Sequence, residues 1–169
     1  MKVTSEICVP DKFDEISNIL MNKSVLVVKD SNFRLCEIEY YYRNDSHNDE
    51  YVHGIEEQTK FEGFYFHRFK KSKTSFKSGT FKGLDITFGN DTTYFGILIR
   101  SMIDLSTNTF IEGPCKCVNK ILELFGVNDV KEFMTSNNFG EQLDLYEEKN
   151  KIYLKEYDFE NSENIYIGT

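Results

Sequence analysis

The sequence predicts an α+β fold: one domain over residues 1–169, with a curved, mostly antiparallel sheet and a few flanking helices. Three observations predict it. Six short segments rich in β-branched and aromatic residues are separated by turn or loop signals. Helical periodicity is confined to a few segments outside them. With 169 residues, 40% of them hydrophobic and 15% aromatic, the chain can bury one core without disulfides or metal.

Taken in order, Pro10-Asp11 opens a short amphipathic helix carrying Phe13, Ile16, Ile19 and Leu20 at helical spacing. VLVVK at 25–29 reads as a buried strand, and Ser31-Asn32 turns the chain into a second strand over 33–42. Residues 43–54 form a polar loop, and FEGFYFHRF at 61–69 is a third strand. The stretch 70–82, punctuated by Ser, Thr and Gly, reads as a hairpin or loop. GLDITFG (83–89) and YFGILIRSM (94–102) are strands joined by the turn Asn90-Asp91-Thr92-Thr93. Gly113-Pro114 starts a helix through Val118, Ile121, Leu122 and Phe125 that stops near Gly126. Asn128 is read as the cap of a short helix over Val130–Met134. KIYLKEYDF at 151–159 supplies a late strand.

Composition narrows the function classes. No run of about 18 apolar residues exists, so no membrane-spanning helix is expected. The N-terminal MKVTSEICVPDKFDE lacks the charged-then-apolar pattern of a secretory signal. The four cysteines (8, 36, 115 and 117) and three histidines form no set with metal-site spacing. The expectation is a cytoplasmic or nuclear monomer that is not secreted and holds no metal, with reduced cysteines; Cys115 and Cys117 are read as packing.

The net charge of −8 speaks against tight nucleic-acid binding by the chain as a whole. Its distribution is uneven. Arg68, Lys70, Lys71, Lys73, Lys77 and Lys82 fall within 67–83 with no Asp or Glu between them, six of the 20 basic residues. The segment reads either as a solvated hairpin or as a patch contacting phosphates.

The segment RLCEIEYYYRNDSHNDEYVH at 34–53 carries the chemistry. Strand side chains alternate, so Glu37, Glu39 and Tyr41 share one face while Cys36, Ile38, Tyr40 and Tyr42 form the more apolar one. A polar loop then returns His53 toward the acidic face. A carboxylate, an aromatic ring and a histidine together can position a water, stack on a flat ring and donate a hydrogen bond. The same pattern also fits a solvated strand face followed by a loop. Arg100, ending an apolar strand, needs a partner if buried, and Glu39 or Glu37 is the natural one. Asp85 in GLDIT reads as structural or surface, with a second pocket carboxylate as the alternative.

Three blocks in this order resemble the alkyladenine (3-methyladenine) DNA glycosylase superfamily of the mammalian-type fold. EIEYYY at 37–42 with His53 is similar to that family's Glu-x-Glu-x-Tyr strand and downstream histidine. GLDITFG with ILIRSM is similar to its central hairpin, which ends in Leu-Leu-Arg. EGPCKCVNKILEL at 112–124 is similar to its Gly-Pro-Ser-Lys-Leu helix start. The resemblance covers about residues 20–126; residues 127–169 do not align.

The resemblance implies hydrolysis of the N-glycosidic bond of a modified, often cationic, purine in DNA, with no cofactor. It implies Glu39 as the residue activating water, Arg100 as its support, and Tyr41 and His53 as base-pocket residues. Tyr65 or His67 would be a second stacking group, and the basic segment would contact the nucleic acid. Lys82 and Gly89 depart from the family pattern, standing where it has a tyrosine wedge and a pocket asparagine. The partner is therefore expected to be damaged DNA or a nucleotide-like small molecule, the alternative to DNA base excision being a hydrolase or a non-catalytic binding protein for a small nucleoside or nucleotide.

Overall fold

Two long strands organise the structure, a computed structural model that describes residues 1–52, 54–69, 72–139 and 143–160. β2 (Ser31–Arg43) and β5 (Tyr94–Asp104) pair antiparallel along nearly their whole length, with Glu39 opposite Leu98 and Tyr41 opposite Gly96. Around them lie β1 (Ser24–Val28), β3 (Phe61–Phe66), β4 (Leu84–Phe88), β6 (Thr109–Glu112), β7 (Leu143–Asp144) and β8 (Ile152–Glu156). The sheet order is β7-β3-β4-β5-β2-β1-β8, with β6 paired to β5, and every pairing is antiparallel.

The sheet nearly closes on itself. After β7, the Leu145 N–H donates to the Glu62 carbonyl at 2.8 Å, while the Leu145 carbonyl accepts from Leu154 N–H at 2.7 Å. One residue thus bridges the β3 and β8 sides, sheltering edges that would otherwise offer unpaired backbone groups.

Three helices pack on one face: α1 (Phe13–Asn22), α2 (Pro114–Phe125) and α3 (Val130–Ser136). Alternation aims Leu84, Ile86 and Phe88 of β4 and Phe95, Ile97 and Ile99 of β5 into this core. Phe95 is fully buried, with its ring 5.3 Å from Phe13, 5.2 Å from Tyr42 and 6.3 Å from Phe88. Pro114 occupies the first turn of α2, and Gly126 ends it in the left-handed conformation at φ 69°. No helix among the described residues is long and apolar enough to cross a membrane.

Four local expectations are corrected. The cap of α3 is Asp129, whose side chain accepts from Glu132 N–H at 2.7 Å, and not Asn128. β3 ends at Phe66 rather than 69, and the late strand runs only over Ile152–Glu156. β6, four largely exposed residues, and β7, only two residues long, are too short to show a period and carry no signal in the sequence. Cys36 does not continue the row of Ile38, Tyr40 and Tyr42, because the β2–β5 register shifts on both sides of Glu37. One shift adds a residue to β2 at Cys36; the other adds one to β5 at Arg100.

Phe95→Ala empties the crossing point of α1, β2 and β5. Chemical denaturation is expected to show a loss of about 3–5 kcal/mol.

Candidate functional site

The face opposite the helices carries a row that no apolar core would tolerate. Across β3, β4, β5 and β2, the register aligns Tyr65 with Asp85, Asp85 with Leu98, and Leu98 with Glu39. Gly96 stands beside this row, between Thr87 and Tyr41. The period-two rule therefore brings residues from four strands onto one patch.

At one end, Arg100 donates through Nη1 to Glu39 Oε2 at 2.6 Å, and its Nε lies 3.5 Å from Glu37 Oε1. The Tyr41 hydroxyl donates to the other oxygen of Glu39. Burial, with the Glu39 bond second, pushes the Tyr41 phenol well above its ordinary range, so it remains a donor. Glu39 is held by two partners yet its side chain stays 41% exposed, within reach of water. The structure thus brings together Glu39, Arg100 and Tyr41 across 61 residues of sequence.

Beside Tyr41 opens a cavity of about 230 Å³ lined by Tyr41, Tyr51, Gln58, His67 and Asp85. Asp85, read from the sequence as structural or surface with a second pocket carboxylate as the alternative, is only 1% exposed and lines this cavity. His67 Nε2 is 2.7 Å from Asp85 Oδ1, and Gln58 Nε2 donates to Oδ2 at 3.5 Å. Gln58 Oε1 accepts from the N–H groups of Gly54 and Ile55 at 2.9 and 3.4 Å, which fixes the direction of its amide. Two glycines make room. A Cβ on Gly96 would lie 2.5 Å from Asp85 Oδ2, and one on Gly83 2.7 Å from His67 Nδ1. The sequence offers no signal for Gln58, and for Asp85 the spacing Gly83-x-Asp85 followed by Gly96 favours neither of its two readings until the register is known.

A second cavity, of about 360 Å³, lies on the other side of His67 and is lined in part by Leu98, Lys82, Phe81 and Lys116. Phe81 is 76% exposed. Leu98 is the cross-strand neighbour of both Asp85 and Glu39, so the two cavities and the Glu39–Arg100 pair adjoin.

Other expected site residues fall elsewhere. Tyr65 is buried; its ring lies 5.3 Å from that of His67 and supports it rather than lining the cavity. Arg68 is 5% exposed and turned inward: it forks onto Glu57 at 2.7–3.1 Å and donates to the Ser72 carbonyl at 2.6 Å. Lys73 lies 3.8 Å from Glu56, and Lys77 packs over the Phe69 ring at 4.2 Å. His53, Lys70 and Lys71 lie outside the described residues. Burial raises the Cys117 thiol to about 12, which keeps it an inert packing group. No group of three or more His, Cys, Asp or Glu among the described residues is arranged to hold a metal.

No family model matches the chain. It is 44% identical over 171 residues to a protein of Acanthamoeba polyphaga mimivirus named "Uncharacterized protein L759", an alignment covering 94% of this chain and 76% of that protein.

A methyl group at position 96 collides with Asp85 and Gln58. Gly96→Ala is therefore expected to cost about 1–3 kcal/mol in chemical denaturation. It should also shift the imidazole NMR signals of His67.

Proposed function

We propose that this chain, which belongs to the family of the mimivirus protein, hydrolyses the N-glycosidic bond of a modified (alkylated) purine base in DNA. One observation carries the reading: a carboxylate held by Arg100 and Tyr41 adjoins a small cavity walled by Tyr41 and Tyr51. At about 230 Å³ the cavity is smaller than the roughly 300–1,000 Å³ typical of drug-sized ligands, which suits a single flat ring system.

The chemistry rests on these residue types. Cleavage of a C1′–N bond passes through an oxocarbenium-like sugar. Glu39 stabilises the positive charge developing on that sugar and takes a proton from the attacking water. Arg100 and Tyr41 fix the carboxylate in one orientation, so no reorganisation is needed as charge develops. The base, extruded from the stack, lies between aromatic rings in the cavity. A base that already bears positive charge departs without strong acid assistance. The resemblance to the alkyladenine glycosylases supports the same assignment for Glu39, Tyr41 and Arg100. The exposed Phe81 beside Lys82 favours DNA, because an aromatic wedge can stack where a base has been withdrawn.

A second reading keeps the bond cleavage but takes a free nucleoside or nucleotide. The inward-turned Arg68 and the net charge of −8 favour it. In that case a ring in the first cavity would leave its phosphate beside Lys82 and Lys116 in the second.

Base release from methylated single- and double-stranded DNA, and from free nucleosides, is measured by chromatography for wild type and Glu39→Gln. Release from DNA that falls at least about 100-fold in the variant is the expected result. Release from nucleosides alone selects the second reading, and no release from any of them overturns both.

A further inference from the structure

The floor of the small cavity is chemically unusual, and the role it suggests for Asp85 rests on the cavity being a base pocket. Asp85 is almost wholly buried, yet its carboxylate borders the cavity. A buried carboxylate is costly unless donors or a cation meet its charge. His67 and the fixed amide of Gln58 supply one contact to each oxygen. Among the described residues, His67 is the only basic side chain within ion-pair distance of Asp85. The nearby guanidinium groups are committed elsewhere, Arg100 to Glu37 and Glu39 and Arg68 to Glu57.

Each carboxylate oxygen accepts more than one hydrogen bond, so capacity remains on the cavity side. The cavity walls add the rings of Tyr41 and Tyr51, whose faces attract cations. A positively charged ring therefore gains twice, from the carboxylate and from the rings. A neutral base presenting a lone pair to Asp85 meets repulsion instead, and sites built around a buried polar group reject such mismatches strongly. Gly83 and Gly96 leave the room that this arrangement needs.

We infer that Asp85 is the specificity-determining residue of this site, selecting a base that carries positive charge over its neutral counterpart. Its role is in recognition; Glu39 remains the group that acts on water.

The test is binding, which does not require turnover. Isothermal titration calorimetry compares 1-methyladenosine, a cation at neutral pH, with its neutral isomer N6-methyladenosine. Wild type is expected to prefer the cation by about tenfold or more. Asp85→Asn, which keeps the shape and removes the charge, is expected to bring the two within about twofold while still binding the neutral isomer. Tyr51→Ala, on an exposed loop, is expected to weaken the cation about two- to fivefold more than the isomer. Equal affinities in wild type, no binding of either compound, or a preference that survives Asp85→Asn overturns the inference; should Asp85→Asn not fold, equal losses in Tyr51→Ala overturn it. A cation preference that depends on Asp85, in a protein that releases no base, supports it and removes only the hydrolytic reading.

Discussion

The ladder between β2 and β5 is the frame to which every other part of this structure is fitted. Two strands of 13 and 11 residues bury one face under three helices and leave the other to chemistry. A strand cannot change which face a side chain takes without changing its register. The two register shifts flanking Glu37 do that. Before them Phe33 and Leu35 point into the core; after them Ile38, Tyr40 and Tyr42 take their place. On β5 the inward set changes from Phe95, Ile97 and Ile99 to Met102 across Arg100. Arg100, two residues after Leu98, keeps the outer face by alternation and meets Glu37 and Glu39 there; the extra residue at Arg100 resets the faces only beyond it, which returns Met102 to the core.

The second organising feature is the accommodation of a buried negative charge. Asp85 could not sit on β4 with ordinary neighbours, because its oxygens occupy the space that a Cβ at Gly96 would fill. Gln58 reaches it from the short turn over Glu56–Thr59, and the backbone of Gly54 and Ile55 dictates which end of its amide faces the carboxylate. His67, lying over Gly83, completes the enclosure and forms the wall shared by the two cavities. Glycine is used at both positions for close approach.

The charge of the 67–82 segment is organised differently from its appearance in the sequence. Arg68 turns inward to neutralise Glu57, and Lys77 lies along Phe69. Of the described basic residues there, Lys82 borders the cavity beside His67, next to the exposed Phe81. A run of like charges in sequence is thus divided among structural pairing, side-chain packing and a cavity rim. Counting charges along the chain treats all of them as equal.

Local sequence was enough for the α+β class, the turn at 90–93 between two central strands, the limits of α2 at Pro114 and Gly126, and the common face of Glu39 and Tyr41. Each arises from forces acting over a few residues: alternation, fixed proline geometry and the left-handed freedom of glycine. The same short-range logic made Arg100 a natural partner for a β2 carboxylate, since an arginine within an apolar strand needs one. The Asp85–His67–Gln58 cluster, the inward turn of Arg68 and the near closure of the sheet through Leu145 emerged only with the folded chain. Those contacts join residues 18, 27, 11 and, for the Leu145–Glu62 bond, 83 positions apart. Whether such residues meet depends on register, and the register shifts at Cys36, Glu62 and Arg100 leave no periodic trace in the sequence.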